Sequence, residues 1–200
     1  PDGEVTAIYE QLDGKRIVAG EFLNFNGQPK KYITRITALG AIDTSFNQSE
    51  FDPTSFIVDI DVQNDGRIIL GGKFTLLNGT SRRIIRLNTD GTVDTNFVAG
   101  IMTSDYLRKI KIQPNGKILV AGTLTGWNGS STKIIRLNSD GTIDPTFNVS
   151  GTISFIKDIR LFSSGEIIIT GSFTVINGIS CKGYAKLNTD GTSVTGFSYD

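Results

Sequence analysis

Histidine is absent from the 200 residues of this chain, and cysteine occurs once, at Cys181. The absence of histidine excludes hydrolases that use a histidine base, and it removes the commonest ligand of zinc sites. A lone thiol cannot form an internal disulfide, so a disulfide-stapled scaffold is excluded as well. Because no histidine can activate this thiol, we expect Cys181 to be partly buried and unreactive.

Net charge and long apolar runs are also missing. Twenty acidic and twenty basic residues cancel, and the basic residues are scattered, so the sequence predicts no nucleic-acid-binding surface. No stretch of about 18 apolar residues occurs, so we expect no membrane-spanning helix. The chain begins with Pro1-Asp2-Gly3 rather than methionine and has no signal-peptide pattern, which leads us to expect a piece of a longer product.

The sequence does contain one repeat unit, which occurs in four copies. Each copy has a turn signal ending in glycine, then a short apolar run that closes on a second glycine, and these second glycines are Gly20, Gly72, Gly122 and Gly171. A period near 50 residues indicates supersecondary units stacked around a shared core. We therefore predict one composite domain over residues 1–200, with approximate units 1–47, 48–98, 99–148 and 149–200.

Short β patterns fill each unit. In the second copy they cover four segments: Phe56–Val62, Arg67–Leu70, Arg83–Leu87 and Thr92–Phe97. Turn signals separate these segments, and no apolar pattern keeps helical spacing for three turns. Four short antiparallel strands in each 50-residue unit are typical of a propeller blade. We predict an all-β propeller of four four-stranded blades, either closed on itself or part of a larger propeller.

One aromatic residue recurs at the end of every unit, and these residues are Phe46, Phe97, Phe147 and Phe197. A phenylalanine kept at one blade position predicts a wedge between neighbouring blades. Burying each ring would stabilise the fold by roughly 1.5–3 kcal/mol.

The combined pattern resembles a known repeat. Residues 65–75 and 78–97 closely resemble the delta-60 repeat, a bacterial and phage β-propeller family, and the likeness covers nearly the whole chain. The resemblance implies a secreted or surface protein of bacteria, or a phage tail or fibre protein, and it brings no catalytic residues. The first copy departs from the pattern at Thr37–Gly40, and the last copy lacks the usual aspartate at position 194.

The polar string after the third strand allows two interpretations. Its Asn-x-Asp-Gly-Thr-x-Asp pattern contains the oxygen ligands that calcium prefers, although the spacing differs from an EF-hand loop. Alternatively, a type I turn with a glycine bulge would set an arginine opposite an aspartate across a hairpin. The predicted pairs are Arg35 with Asp43, Arg86 with Asp94 and Arg136 with Asp144. We favour structural ion pairs without a cofactor and keep calcium as the alternative.

The connection between the second and third strands varies most among the copies. An apolar residue precedes an Asn-Gly turn in each copy, and these residues are Phe25, Leu77, Trp127 and Ile176. They either pack inward beneath their loops or form a ligand-binding rim, since loops on a rigid scaffold commonly carry recognition. Trp127 is the first candidate for such a rim.

These observations favour a non-enzymatic binding, adhesion or assembly module that lies outside the cell or on a virion. Its partner would be a protein or glycan surface ligand, or neighbouring subunits of a larger assembly. A purely structural spacer is the alternative. A third hypothesis is a carbohydrate-active enzyme that uses two carboxylates, and the candidate carboxylates are Glu10, Asp59, Asp61, Asp105 and Asp158.

Overall fold

A computed structural model describes residues 1–47, 51, 55–76, 81–99, 104–127 and 130–197. The chain divides into two compact units: residues 1–97 hold the first two repeats, and residues 98–200 hold the last two. Strands and turns account for the regular structure of the described residues, and no helix occurs among them. Accordingly, a helix with the length and apolarity to cross a membrane is not found in these ranges.

Unit 1 contains eight strands within its described residues. Their bounds are β1 Val5–Glu10, β2 Arg16–Gly20, β3 Asn24–Phe25, β4 Gln28–Pro29, β5 Ile33–Ile36, β6 Phe56–Val62, β7 Ile68–Thr75 and β8 Ser81–Leu87. The first repeat forms the antiparallel sheet β1-β2-β5, with β3 and β4 as a separate hairpin, and the second forms β6-β7-β8.

Unit 2 repeats this arrangement with longer strands. Their bounds are β9 Ser104–Ile112, β10 Ile118–Trp127, β11 Ser130–Leu137, β12 Gly151–Leu161, β13 Ile167–Ile176, β14 Ile179–Ser180 and β15 Tyr184–Leu187. The third repeat is the antiparallel sheet β9-β10-β11. In the fourth, β13 pairs with β12 on one side and with both β14 and β15 on the other.

The predicted all-β class is confirmed, but the fourth predicted strand is shorter than expected. In each repeat it is reduced to one isolated bridge to the third strand, as between Leu87 and Val93. The chain then turns, because the carboxylate of Asp94 accepts a hydrogen bond from the N–H of Asn96 at 2.9 Å. The second strand is longer than predicted, since β7 continues through Gly71 and Gly72 to Thr75.

The recurring second glycine faces a bulge in the neighbouring strand. The first strand of every repeat carries one extra residue at this point of the register, and these residues are Thr6, Val58, Arg108 and Lys157. A bulge bends the strand and pushes its backbone toward the partner. A Cβ on Gly72 would lie 2.1 Å from the carbonyl oxygen of Phe56, and one on Gly171 would lie 2.3 Å from that of Phe155. Glycine is required here by close backbone approach.

Each unit has its own apolar core, to which both of its repeats contribute. In unit 1 the core includes Ile17, Ile68 and Leu70, and in unit 2 it includes Leu119 and Ile167. A further large apolar residue lies two positions after each second glycine and is buried in every repeat, as Phe22, Phe74, Leu124 and Phe173. The sequence analysis missed this position, although its recurrence two residues beyond the glycine was a usable signal.

We expect Gly72→Ala to destabilise the protein by about 3 kcal/mol, because the added methyl group overlaps backbone atoms of β6. Gly116→Ala is the matched control. Gly116 has φ of +81° and no atom within 4 Å of a Cβ, so its substitution should cost only about 1 kcal/mol from the left-handed backbone. Urea unfolding of both variants measures the difference, and equal losses would contradict the close-approach explanation.

Candidate functional site: an inter-repeat clasp and a cleft in unit 1

The polar string after the third strand forms a tight hairpin turn. In the second repeat the N–H of Gly91 donates to the carbonyl of Asn88 at 3.0 Å, and the N–H of Asp94 donates to the carbonyl of Arg86 at 2.8 Å. Gly91 has φ of +93°, as a glycine bulge requires. One carboxylate oxygen of Asp90 accepts hydrogen bonds from both the N–H and the hydroxyl of Thr92. This carboxylate therefore organises the turn.

The hairpin register brings each arginine against its aspartate. The distance from the guanidinium to the carboxylate is 2.8 Å for Arg35–Asp43, 2.9 Å for Arg86–Asp94 and 2.7 Å for Arg136–Asp144. All six residues are buried. Within the described ranges, no group of three acidic, cysteine or histidine side chains could hold a metal ion, and the calcium alternative remains an untested prediction.

Further donors hold these carboxylates in the ionised state. Burial alone would raise the pKa of Asp144, but hydrogen bonds from Lys117, Thr146 and Arg136 outweigh it and hold that pKa well below its ordinary range. Hydrogen bonding from Ser45 has the leading effect in lowering the pKa of Asp43. A buried carboxylate with several donors is stable only as the anion.

A third charged residue, which the sequence analysis did not identify, completes each pair. It follows the first turn glycine of the repeat: Lys15 reaches Asp43 at 3.0 Å, and Lys117 reaches Asp144 at 2.5 Å. Arg67 occupies the same place beside Asp94.

The fourth repeat inverts the arrangement. Lys186 replaces the arginine, Val194 replaces the aspartate, and the acid moves to Glu166, whose carboxylate lies 2.6 Å from Lys186. All three places thus hold different residues, with one cation and one anion instead of two cations and one anion.

In each unit the arginine and phenylalanine of one repeat hold the turn of the next, and we call this arrangement the inter-repeat clasp. In unit 1, Arg35 donates to the carbonyl of Thr89 at 2.7 Å, and Asn47 N–H donates to the carbonyl of Asp90 at 2.8 Å. The ring of Phe46 lies so close to Gly91 that a Cβ there would be 3.1 Å from it. The clasp therefore requires glycine at the turn for space as well as for φ.

Unit 2 contains the same clasp between the third and fourth repeats. Arg136 and Gln113 both donate to the carbonyl of Thr189, at 2.6 and 3.1 Å. A Cβ on Gly191 would be 2.8 Å from the ring of Phe147. In both units the guanidinium also lies over its own phenylalanine, 5.1 Å from the ring centroid for Arg35 and 4.8 Å for Arg136.

The four terminal phenylalanines are not equivalent. Phe46 and Phe147 are buried at the clasps, which is the wedge position that the sequence predicted. Phe97 and Phe197 are half-buried. Arg86 lies 4.8 Å from the ring centroid of Phe97, and Lys186 lies 5.9 Å from that of Phe197.

The predicted ligand-binding rim is described only in part. Phe25 is half-buried and packs edge-on against Phe22, with ring centroids 5.5 Å apart. Ile176 is 1% exposed and belongs to the core of unit 2, so it cannot contribute to a surface patch. Its inclusion in the rim is corrected, because β13 runs through Ile176 before the turn begins. Leu77 and the side chain of Trp127 lie outside the described residues.

A cleft of about 570 Å³ lies between the first hairpins of the two repeats of unit 1. We call it the hairpin cleft. Its lining includes Tyr9, Gln11 and Asp13 from the first repeat and Gln63 and Asn64 from the second. Its volume falls within the range of small-molecule sites. Comparison of the repeats does not predict it, because a cleft between two hairpins depends on how their sheets pack.

The remaining candidate side chains are mostly engaged or buried. Glu10 accepts a hydrogen bond from Arg16 at 2.9 Å, and Asp158 accepts one from Arg160 at 3.2 Å. Asp59 and Asp61 are buried on β6, and of Asp105 only the backbone is described. Cys181 is buried, and burial raises the pKa of its thiol.

We expect the charge arrangement of the fourth repeat to work in the second. Asp94→Val alone should cost about 3–5 kcal/mol, because it leaves Arg86 buried without its anion. Adding Arg67→Glu and Arg86→Lys rebuilds the Glu–Lys pair and should restore at least half of the loss. Asp65→Asn, which changes an exposed carboxylate next to the same Arg67, is the control and should change stability by less than about 0.5 kcal/mol. Unfolding in guanidinium chloride compares the variants. No recovery of stability in the triple variant would contradict the expectation that the charge arrangement of the fourth repeat can replace that of the second.

Stability should fall in acid through the buried aspartates. The pKa values of Asp43, Asp94 and Asp144 are lowered by folding, so their contribution is complete above the unfolded value of about 3.9. It is lost as the pH falls from about 5 toward the folded-state values. The free energy of unfolding, measured by urea denaturation from pH 7 to 2, should decline less steeply in Asp144→Asn than in the wild type. Identical slopes would assign the acid sensitivity to other groups.

Comparison with known proteins places these repeats in a family. The profile of a domain of unknown function, the DUF5122 beta-propeller, matches residues 11–46, 63–97, 113–147 and 163–193. No curated protein matches the chain. Among solved structures, it is similar to a protein of unknown function from Bacteroides caccae, with 14% identity over 97% of this chain and 67% of that one and a TM-score of 0.44. The matched segments cover more than half of the residues and include the second and third strands of each repeat's main sheet, so this chain belongs to the DUF5122 beta-propeller family.

Proposed function

We propose that this chain is a non-enzymatic binding module, exposed outside the cell or on a virion, whose partner is a glycan or protein surface. The observation that supports this proposal is that repeated residues and variable residues have different roles in the structure. The recurring arginine, aspartate and phenylalanine are directed at neighbouring strands and turns. Of the residues that line the hairpin cleft, Tyr9, Leu12 and Asn64 differ from their counterparts in the other repeats. A fixed scaffold with locally varied surface residues suits recognition.

The location is part of the same proposal. It follows from the resemblance to delta-60 repeats, whose relatives occur in bacterial surface proteins and phage tail proteins. Neutral net charge is compatible with a module that does not bind by long-range electrostatic attraction to nucleic acid or to an acidic membrane.

A second candidate is assembly with further repeats of the same kind, and one observation favours it. The turns that contain Gly91 and Gly191 are each covered by a phenylalanine, whereas Gly40 has no atom within 4 Å of a Cβ in the described part of the chain. Leu39, next to it, is 98% exposed. An uncovered turn with an apolar tip could accept the clasp of another copy of the chain.

Binding to a broad glycan array and to whole bacterial cells tests the main proposal. We expect the folded protein to bind a restricted set of glycans or strains and heat-unfolded protein to bind none. Wild-type protein should also leave the bound glycans uncleaved, while hydrolysis abolished by Asp59→Asn would establish the enzymatic alternative instead.

Sedimentation velocity at several protein concentrations separates the assembly alternative. Self-association that is lost in Leu39→Asp, together with no binding to glycans or cells, would replace the binding function with a structural one. A monomer that binds glycans or cells would exclude that outcome.

A further inference from the structure

The hairpin cleft contains an amide whose hydrogen bonds differ from those of its counterparts. Gln63 and Gln113 occupy the same place in the second and third repeats, and the side-chain oxygen of each accepts a hydrogen bond from the arginine of its own repeat, Arg86 and Arg136, at 3.2 and 3.4 Å. Gln11 is the first-repeat counterpart. Its side-chain oxygen is buried and has no hydrogen-bond partner among the residues that the structure describes.

Arg35 does not supply the bond that Arg136 gives to Gln113, although the two arginines are otherwise used alike. The three nitrogens of Arg35 donate to Asp43, to the carbonyl of Thr89 and to the hydroxyl of Ser45. None of these bonds goes to Gln11, so its side-chain oxygen is left to other partners. A buried acceptor without a donor is unfavourable. Because Gln11 also lines the cleft, a rotation of its amide toward a ligand that supplies an O–H or N–H would remove this cost.

The other lining groups define the kind of ligand. Tyr9 is half-buried, and burial, followed by the negative charge of Asp61, raises the pKa of its hydroxyl, so the phenol remains protonated at neutral pH and can donate. Asn64 and Asp13 add polar groups at the rim, and Leu12 adds an exposed apolar side chain. Because the cleft is lined by one carboxylate and by neither lysine nor arginine, it is unsuited to anionic ligands.

We propose that the hairpin cleft binds a neutral saccharide unit. A pyranose offers hydroxyl groups to the amides of Gln11 and Asn64 and to the phenol of Tyr9, and it offers an apolar C–H face to the tyrosine ring. The cleft of about 570 Å³ has room for one or two sugar residues. This inference rests on the proposed binding function and assigns a site and a ligand class to it.

The test uses an array of neutral saccharides: glucose, galactose, mannose, N-acetylglucosamine, N-acetylgalactosamine and their β-linked disaccharides. The sugar with the strongest signal is then titrated by calorimetry into the wild type, Gln11→Met and Tyr9→Phe. We expect a dissociation constant near or below 1 mM for the wild type and at least fivefold weaker binding for each variant.

Gln113→Met is the matched control, because Gln113 has the same place in its repeat but is bonded to Arg136 and Thr189. It should lower the melting temperature and leave saccharide affinity unchanged. Gln11→Met should leave the melting temperature unchanged or raise it, since it removes a buried group without a partner. If Gln11→Met fails to fold, Tyr9→Phe still decides the question.

Failure of this inference is distinguishable from failure of the proposed function. Saccharide binding that neither variant weakens would overturn the assignment to the hairpin cleft and leave the binding module intact. Wild-type protein that binds no neutral saccharide but still binds charged glycans or whole cells would overturn the ligand class alone. Absence of binding to all of them would overturn both.

Discussion

The fold within each unit depends on a buried guanidinium that is shared between two repeats. Arg35 and Arg136 each neutralise an aspartate of their own hairpin and donate to a backbone carbonyl of the next repeat. Because the arginine is buried, it is stable only while its anion and its acceptors are in place. The same contact therefore fixes the local hairpin register and the packing of one sheet on its neighbour, and it does so with a single side chain.

Close backbone approach is the second constraint, and it explains why so few positions recur. The second glycine of each repeat lies under a bulge of the first strand, and the turn glycines Gly91 and Gly191 lie under phenylalanine rings. At such places no side chain fits, whatever its polarity. Outside these glycines and the clasp residues, a side chain needs only to be apolar where it faces the core or polar where it faces solvent. The surface residues are therefore free to differ among copies.

The hairpin register could be predicted from the sequence, because a type I turn with a glycine bulge determines which residues face each other. Arg86 and Asp94 were paired on that basis alone. The contact to the next repeat could not be predicted, since it depends on how two sheets pack. No sequence pattern indicates that Thr89 lies beside Arg35. The fourth strand was overestimated for a related reason. Its alternating pattern is local, whereas the hydrogen bond from Asn96 to Asp94 that ends it involves a side chain.

The candidate site was less predictable than the fold. The rim hypothesis treated the four Asn-Gly tips as equivalent, but Ile176 is drawn into the core by the length of β13. The hairpin cleft, in contrast, arises where two non-equivalent hairpins meet, and the side-chain oxygen of Gln11 lacks the arginine bond that Gln63 and Gln113 receive. An alignment of the four repeats identifies the positions that they have in common and does not indicate differences of this kind.

The clasp gives the two repeats of a unit different roles in one contact. In each unit the earlier repeat supplies the arginine and the ring, and the later repeat supplies the turn that receives them. Because the buried arginine needs its acceptor as much as the turn needs its donor, a change on either side removes the same contact. The two repeats of a unit should therefore unfold together, as a single cooperative element.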